Sequence, residues 1–551
     1  MINKKKILGA AIGNCVHVSG LFHFLKLAEK EGYNTILLGP AIPPEQIVEN
    51  IKIQKPDTVA ISYRLTPNVG VALIREFKAL LKKDKIKNVK FIFGGTPPVA
   101  DALNELNFFD KIFSGKETAK EITEYLRGSS DKKNVKTFPD NLIERISVKY
   151  PYPLLRHHFG RPNLQETITG VKKIAESEVL DIISLGTDQN AQEHFFHPKD
   201  MIKELEGAGG VPVRKPDDLK EIYKSSRCGN YPLMRCYSGT RDLLPWAEMS
   251  VESIHNAWAA IPLCWYSVID GRSKRSLFDA IGENQSVMKW YAERNIPVEV
   301  NESHQWSLRD AHDSLAVTMA FLAAYNAKKV GVRNYVAQYM FNTPPGTTPK
   351  MDIAKMFAKL QLIESLEDEN FKTYREVRAG IAHFSSVPTE AKGQLAASAV
   401  ISLSMKPHIL HVVGFSEGDH ACYPEELIES CNIIHGVLQN CLYDLPDFLK
   451  DDRVINRRDE LIEEAKVILD AIKILGEGDT EDPWSDPKVL SGAIKTGILD
   501  APHFRGNPDL CGKIITRLIN GGWYAVDDSG AIQKESQRTG RILSGIKKIK
   551  S

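Results

Sequence analysis

The stretch KILGAAIGNCVHVSG, residues 6–20, decides the fold of the first part of the chain. Its apolar half, Lys6–Ile12, predicts a buried strand, and the following segment, Gly20–Glu31, has the spacing of an amphipathic helix. A short polar loop with Cys15 and His17 joins the two. In a parallel sheet such a loop lies at the carboxyl end of its strand, where ligands bind.

The same alternation of strand and helix continues through residues 1–120. Further strands are predicted at Thr35–Leu38, Thr58–Ser62 and Lys90–Gly94, and further helices at Pro44–Gln54 and Val69–Lys82. Strands that alternate regularly with helices are typical of α/β proteins with a parallel sheet. We therefore expect a flavodoxin-like, doubly wound parallel sheet in this region.

The rest of the chain predicts a second, larger domain. Residues 121–165 are charged and interrupted by prolines, which favours a linker. From 166 to 440, short apolar runs alternate with longer helical ones, which predicts a (β/α)8 TIM-type barrel, with an ordinary α/β sandwich as the alternative. The predicted strands are Ile182–Leu185, Val211–Val213, Leu233–Tyr237, Val298–Asn301, Val336–Tyr339 and His408–Val413. Residues 441–551 are predicted to form a helical C-terminal extension with a small hairpin at Gly522–Gly530.

Composition excludes several classes of function. Lys and Arg number 71 and Asp and Glu number 70, so a net charge of +1 gives no general attraction to nucleic acid or to an anionic membrane. No segment reaches about 18 uninterrupted apolar residues, and we expect a cytoplasmic protein. The eight cysteines are scattered without a CxxC pair, which indicates neither a disulfide framework nor the iron–sulfur cluster of a radical S-adenosylmethionine enzyme.

Three elements at strand ends resemble the B12-binding domain of cobalamin mutases and methionine synthase. His17 and Gly20 follow the first strand, Ser62 comes after 41 intervening residues, and Gly94 and Gly95 end the next strand. The family pattern is DxHxxG, then SxL about forty residues later, then GG. The resemblance implies that His17 is the lower ligand of cobalt, a metal-binding role, and that the nucleotide tail of the cofactor passes Gly20, Ser62 and the paired glycines.

Two positions depart from that pattern. Cys15 stands where the family has its aspartate, and Arg64 stands where it has leucine. A neutral imidazole is a good cobalt ligand, but the missing aspartate would have oriented and strengthened it. Two alternatives therefore stay open: cobalamin bound without ligation by His17, and a plain flavodoxin-like domain in which His17 is only a loop residue.

Parts of the larger domain resemble the catalytic subunit of glutamate mutase. The glycine-rich turn and arginine of Glu206–Arg214 look like a turn near the start of that subunit, and Val287–Glu293 with Val300–Glu302 are similar to its helix and strand that deliver an active-site glutamate. Asp310–Gly331 and Gln338–Asn342 are similar to its long helix and the next strand. The resemblance implies a TIM barrel whose mouth faces the corrin ring.

The same resemblance supplies candidate catalytic residues. Arg214 is expected to clamp a substrate carboxylate with its bidentate fork, and Glu302 to hold an amino or hydroxyl group or to move a proton. Another carboxylate-binding arginine of the family falls near Ser286, so Arg235 or Arg241 is the candidate for a second cation.

Polar groups after predicted strands supply further candidates. Residues 301–313 are dense in catalytic residue types, and we expect a site role for at least one of Glu302, His304 and His312. Asp188–His194 is a candidate for contact with cofactor or substrate. Gly418–Cys422 contains metal-ligating residue types, but no matching ligand spacing appears nearby.

Together these features predict an adenosylcobalamin-dependent radical isomerase, similar to a carbon-skeleton mutase, which acts on a small carboxylate or amino-acid-like substrate. The alternatives are a corrinoid-dependent methyltransferase and a non-catalytic cobalamin-binding protein. We expect cobalamin as cofactor, most simply in its adenosyl form, and a small-molecule carboxylate as partner. A homodimer stays open.

Overall fold

The computed structural model describes residues 5–117, 119–128, 138–442, 445 and 447–550. The chain divides into two compact units, Met1–Thr137 and Phe138–Ser551. In the described residues, no helix is both long enough and apolar enough to cross a membrane.

The N-terminal unit is a five-stranded parallel sheet with the strand order β2-β1-β3-β4-β5. Its strands are β1 Lys6–Ile12, β2 Asn34–Ile42, β3 Thr58–Tyr63, β4 Lys90–Gly95 and β5 Lys111–Phe113. Its helices are α1 Ser19–Lys30, α2 Pro44–Gln54, α3 Pro67–Lys83, α4 Pro97–Asn104 and α5 Ala119–Gly128. The predicted doubly wound, flavodoxin-like fold is confirmed.

The two faces of this sheet bury different side chains because successive residues of a strand point to opposite faces. Phe93 of β4 packs into the cluster that contains helices α2 to α4. Its neighbour Ile92 packs on the opposite face with Phe24 of α1 and Leu126 of α5. By the same alternation, Gly94 continues the face of Ile92, towards α1 and α5.

The second unit is built on eight parallel strands in the order β8-β7-β6-β13-β12-β11-β10-β9. The strands are β6 Leu154–Phe159, β7 Ile182–Leu185, β8 Leu233–Cys236, β9 Ala259–Ile261, β10 Val298–Val300, β11 Asn334–Phe341, β12 Lys372–Ala379 and β13 Ile409–His411. Backbone hydrogen bonds from Ala257 to Met234 and from Ser238 to Ala260 connect the two ends of the sheet. The sheet is a nearly closed barrel, as predicted, and the sandwich alternative is wrong.

Helices surround this barrel and continue beyond it. They are α6 Leu142–Lys149, α7 Leu164–Ser177, α8 Gln189–His194, α9 Pro216–Ser225, α10 Leu243–Ile254, α11 Leu277–Glu293, α12 Ser303–Ser307, α13 Asp313–Lys329, α14 Pro349–Glu364, α15 Pro388–Ser402, α16 Pro424–Cys441, α17 Asp452–Leu475, α18 Pro487–Thr496 and α19 Glu535–Lys550. The C-terminal helix α17 shares the main apolar core of the barrel unit through Leu461 and Ile468. The extension is thus part of the barrel unit's core.

The sequence predictions for four segments of this unit need correction. Strand β6 lies within residues 121–165, which were predicted as a linker, and neither β12 nor the three-residue β9 was predicted. Strands β6 and β12 carry charged or histidine side chains that point into the barrel, so neither has an apolar run. Val211–Val213 was predicted as a strand, but Val211 forms only an isolated bridge with Thr187.

The predicted hairpin is present but begins earlier. Strand β14 Ile515–Ile519 pairs antiparallel with β15 Gly522–Val526. Asn520 and Gly521 form the two-residue turn, with φ of 49° and 85°. A two-residue turn of this kind requires positive φ at both positions, and asparagine and glycine adopt positive φ at little cost in free energy.

Candidate functional site

A cavity of about 430 Å³ opens at the carboxyl ends of the strands in the N-terminal unit. We call it the N-terminal cavity. The residues that line it include all five predicted cofactor-binding residues: His17, Gly20, Ser62, Gly94 and Gly95. The sequence pattern therefore identified residues that the fold brings together.

The His17 side chain is exposed on the loop between β1 and α1. Ser62 Oγ donates a hydrogen bond of 3.4 Å to the His17 carbonyl oxygen, which connects the loop to β3. In the described part of the chain, no side chain forms a hydrogen bond with the His17 ring. Cys15, in place of the family's aspartate, is fully buried in the core. The imidazole is therefore accessible to a ligand without the usual carboxylate partner.

The paired glycines serve different purposes. A Cβ at Gly95 would lie 2.4 Å from the Tyr63 carbonyl oxygen and 2.7 Å from the Phe93 ring, so the protein's own packing requires glycine there. A Cβ at Gly94 would meet no atom within 4 Å, and this residue lines the cavity. Only Gly94 is therefore a glycine that leaves room for a ligand. The prediction that both glycines admit the nucleotide tail of the cofactor needs this correction, because Gly95 is required by the packing of the protein.

These residues fit a corrinoid. The cavity has an apolar wall formed by residues such as Leu21, Phe24 and Ile92, and an accessible imidazole on its rim. The backbone of Gly94 is open to a group in the cavity. Arg64, in place of the family's leucine, also lines it and adds a cation.

The barrel interior is organised in three layers, which follow from the two-residue period of its strands. The lower layer is apolar and includes Leu154, Ile182, Leu233, Val336 and Ile409. These residues pack with Leu142 and Ile146 of α6. The amino-terminal end of the barrel is therefore closed by hydrophobic packing.

The middle layer, two residues further along the strands, is charged and internally balanced. Arg156 forms a buried ion pair with Glu376. Arg235 Nη2 donates to Glu299 Oε2 at 3.0 Å, and the Trp258 indole donates to the same oxygen at 2.7 Å. All four charged side chains are fully buried. Two arginines and two glutamates leave this layer without net charge.

The upper layer, two residues further again, contains His158, Tyr237, Asn301 and Arg378. The Tyr237 hydroxyl and the His158 Nε2 are 2.7 Å apart, and their rings stack with centroids 4.8 Å apart. Burial, followed by the charge of Arg156, lowers the pKa of His158 well below its usual range. This imidazole is neutral near pH 7.

A second cavity, of about 580 Å³, lies at the carboxyl ends of the barrel strands. We call it the mouth cavity. Its lining is Gln189, Gln192, Glu193, Ala208, Gly209, Tyr237, Thr240, Tyr266, Gly271, Arg272, Asn301, His304 and Gln305. Asn301 is 3% exposed, and in the described residues neither its amide nitrogen nor its oxygen has a hydrogen-bond partner. A buried amide without a partner is costly, and a bound polar ligand would remove that cost.

The predicted catalytic residues separate into those at the mouth cavity and those away from it. His304 lines the cavity, and burial lowers its pKa well below the usual value, so its ring is neutral. Arg235 lies one layer below and is paired with Glu299. Arg214 forms a bidentate ion pair with the buried Asp188, at 3.0 and 2.6 Å. Its predicted substrate role stays a prediction, and the geometry gives that role no support.

Glu302 is fully buried and holds the loop after β9. Its Oε2 accepts hydrogen bonds from the backbone N–H groups of Leu263 and Cys264, and its Oε1 accepts one from the Trp306 indole. Burial raises the pKa of this carboxyl, although the three hydrogen bonds oppose the shift. The geometry favours a positioning role over contact with substrate.

The other predicted clusters also divide. Gln189, Gln192 and Glu193, from the predicted Asp188–His194 group, line the mouth cavity. His312 instead lies 2.9 Å from Glu535 of the last helix, α19, inside the protein. Within the ranges that the structure describes, no group of three His, Cys, Asp or Glu side chains could hold a metal ion, and this includes Gly418–Cys422.

Sequence reasoning missed several residues of the barrel interior, among them Arg156, His158, Glu376 and Arg378. They occupy positions two apart in the segments LLRHHF and KTYREVRA. Polar residues at every second position of a short strand were the available signal, since such residues share one face.

The comparisons with known proteins agree with the N-terminal assignment. Residues 5–123 match the family model described as the B12 binding domain. No curated protein matches the chain. Residues 5–123 of the N-terminal unit therefore form a B12-binding domain.

Solved structures give weaker similarities. A cobalamin-binding protein from Desulfitobacterium hafniense DCB-2 is 25% identical over 23% of this chain and 60% of that chain, with a TM-score of 0.21. The cobalamin-dependent S-adenosylmethionine radical enzyme OxsB, with aqua-cobalamin and S-adenosylmethionine bound, is 10% identical over 84% of this chain and 56% of that one, with a TM-score of 0.22. This chain thus spans less than two thirds of either protein. TM-scores this low do not establish a shared fold. The resemblance of the barrel to glutamate mutase stays a prediction.

Proposed function

We propose that this protein is a cobalamin-dependent enzyme, an adenosylcobalamin-dependent isomerase that rearranges a small carboxylate or amino-acid-like substrate. The observation that carries the proposal is the convergence of the five predicted cofactor residues on one cavity of a B12-binding domain. A catalytic role, as opposed to storage or sensing of cobalamin, is supported by the polar cavity at the mouth of a TIM-type barrel, where enzymes of this fold place their active sites.

In the N-terminal unit, His17 would supply the imidazole ligand to cobalt, and the cavity beside Gly94 would hold the nucleotide tail. Bound adenosylcobalamin supplies the radical chemistry that a carbon-skeleton rearrangement requires. Cys15 is buried, so it would not replace the aspartate that normally accepts a hydrogen bond from the ligating imidazole. We therefore expect ligation by His17 that is weaker than in proteins with the full motif.

In the barrel, the polar groups of the mouth cavity would bind and orient the substrate. The neutral ring of His304 can accept a hydrogen bond from an amino or hydroxyl group, or accept a proton. The Asn301 amide offers both a donor and an acceptor without competition from the protein. The apolar lower layer keeps water from reaching the site through the amino-terminal end of the barrel.

The test is an anaerobic titration of the full chain with adenosylcobalamin, followed by visible absorption and by EPR of the Co(II) form. The N-terminal unit contains only two histidines, His17 and His23, and both line the N-terminal cavity. Replacement of each by alanine therefore makes a matched pair. With 15N-labelled protein, a histidine ligand is distinguished from the cofactor's own nitrogen base, which stays 14N. We expect 15N hyperfine splitting in the wild type and in His23→Ala, and its loss in His17→Ala.

The same titration separates the alternatives. Binding with only the 14N splitting of the cofactor's own base, or with no nitrogen splitting, in the 15N-labelled wild type would refute ligation by His17 while leaving the cofactor assignment intact. Absence of binding to any cobalamin would refute the whole proposal. Turnover with methylcobalamin and a thiol or amine acceptor, without radical formation on carboxylate substrates, would support methyl transfer instead.

A further inference from the structure

The charges inside the barrel do not balance once the upper layer is included. The middle layer contains two ion pairs, Arg156 with Glu376 and Arg235 with Glu299. The upper layer adds a third guanidinium, Arg378, two residues after Glu376 on β12 and therefore on the same inward face. No described residue adds a third carboxylate to these layers.

The Arg378 guanidinium has few partners. Its Nε donates to the carbonyl oxygen of the adjacent Ala379 at 3.3 Å. Among the described residues, no carboxylate oxygen lies within 4.0 Å of it. Glu376 and Glu417 act on it only at longer range, and Glu376 is paired with Arg156 while Glu417 accepts a hydrogen bond from the Gly414 N–H. The Arg378 side chain is half-buried, and a partly desolvated guanidinium without a counter-ion gains free energy when a ligand supplies the negative charge.

The surroundings of Arg378 favour an anionic ligand over a neutral one. The histidines near it, His158, His304 and His411, all have a pKa lowered well below the usual value by burial, with Arg378 contributing. They therefore add no positive charge near pH 7. Arg378 itself is not among the residues that line the mouth cavity. Tyr237 and Asn301 of the same layer do line it, and the Asn301 amide has no partner among the described residues. A ligand that reaches past these two side chains would therefore approach Arg378.

We propose that Arg378 binds the carboxylate group of the substrate at the inner end of the mouth cavity, with the Asn301 amide as a second polar contact. This inference rests on the proposed function for the chemical class of the substrate. It replaces Arg214 and Arg235, each already paired with a protein carboxylate, as the residue that binds the substrate's charge. A planar guanidinium with free N–H groups suits a carboxylate, which it can bind through two parallel hydrogen bonds.

The test uses the cobalamin-free full chain and saturation-transfer NMR with acetate and glutarate as probes and acetamide as the neutral analogue. We expect saturable binding of the carboxylates and not of acetamide. In Arg378→Gln the carboxylate affinity should fall at least about tenfold, as expected for loss of a charge-assisted hydrogen bond. Arg378→Lys keeps the positive charge but cannot form two parallel hydrogen bonds, so its carboxylate affinity should lie between that of the wild type and that of Arg378→Gln.

Two matched variants make the result specific. Arg375→Gln changes the same residue type on the same strand, but Arg375 pairs with Glu364 outside the barrel, so carboxylate affinity should be retained. Arg272→Gln removes the exposed cation at the rim of the mouth cavity. Loss of binding in Arg272→Gln with full binding in Arg378→Gln would overturn the inference, as would equal affinity for acetate and acetamide in the wild type.

Thermal unfolding of each variant shows whether it is folded, and Arg378→Lys serves as the informative variant if Arg378→Gln unfolds. Adenosylcobalamin titration of the same proteins separates this inference from the proposed function. Carboxylate binding that depends on Arg378 in a protein that binds no cobalamin would support the anion site and refute the proposed function. Cobalamin binding with carboxylate affinity unchanged in both Arg378 variants would refute the anion site and leave the proposed function standing.

Discussion

Replacement of Gly94 and of its neighbour Gly95 by alanine should have opposite consequences, although the two residues are adjacent in one strand. A Cβ at Gly94 meets no protein atom within 4 Å, so Gly94→Ala should leave the fold intact. The lower entropy of the unfolded chain could raise stability by up to about 1 kcal/mol. The added methyl group points to the face of Ser62, into the N-terminal cavity. There the methyl group would crowd the bound cofactor at a cost of about 1–3 kcal/mol in the free energy of binding, which corresponds to about 5- to 150-fold weaker cobalamin binding.

Gly95→Ala should instead damage the N-terminal unit itself. Its Cβ would lie 2.4 Å from a backbone oxygen of Tyr63 and 2.7 Å from the Phe93 ring, so a backbone strand or a core ring must move. We expect destabilisation of about 1–3 kcal/mol, a fall of roughly 4–12 °C in the unfolding midpoint of this unit.

The assay is the same for both variants: thermal unfolding of the full chain, followed by titration with adenosylcobalamin under visible absorption at a temperature where all variants are folded. The reasoning is refuted if Gly94→Ala binds cobalamin as tightly as the wild type. It is equally refuted if Gly94→Ala lowers the unfolding midpoint as much as Gly95→Ala does.

Two further predictions concern buried carboxylates of the barrel unit. The pKa of Glu535 is lowered to about 2 against burial, chiefly by the charge of Arg538 and then by His312. The ionised Glu535 carboxylate therefore contributes about 3 kcal/mol to the free energy of unfolding above pH 4.5, and this contribution is lost as the pH falls towards 2. We expect the melting temperature to change less between pH 6 and pH 3 in Glu535→Gln than in the wild type. In Glu302→Gln the side-chain carbonyl oxygen can still accept from the Leu263 and Cys264 N–H groups, but the amide NH2 then faces the Trp306 indole N–H. This lost hydrogen bond should destabilise the protein by about 1–3 kcal/mol, with KM unchanged in folded protein. A fall in turnover without a change in the melting temperature would contradict the positioning role of Glu302.

The predicted roles of the barrel residues show where sequence reasoning stopped. Arg214 and Glu302 were selected because they follow strands and match a family's residue types, and both are present where the chain order put them. Asp188, 26 positions before Arg214 in sequence, occupies its guanidinium, and N–H groups from two separate segments occupy the Glu302 carboxylate. Whether a charged side chain is free or paired depends on partners distant in sequence, which a pattern along the chain does not contain.

The sequence by itself determined the N-terminal unit, its doubly wound sheet and the residues around its cavity. Local periodicity defines those strands and helices, and the carboxyl ends of neighbouring parallel strands must meet at one edge, so His17, Ser62 and Gly94 are brought together by topology alone. The interior of the barrel was decided only by the tertiary structure. Charged strands such as β6 and β12 are stable because Arg156 reaches Glu376, 220 positions away, and the same closure leaves Arg378 without a carboxylate partner among the described residues. Buried charge is tolerated only where a partner is brought to it, and that pairing exists only in three dimensions.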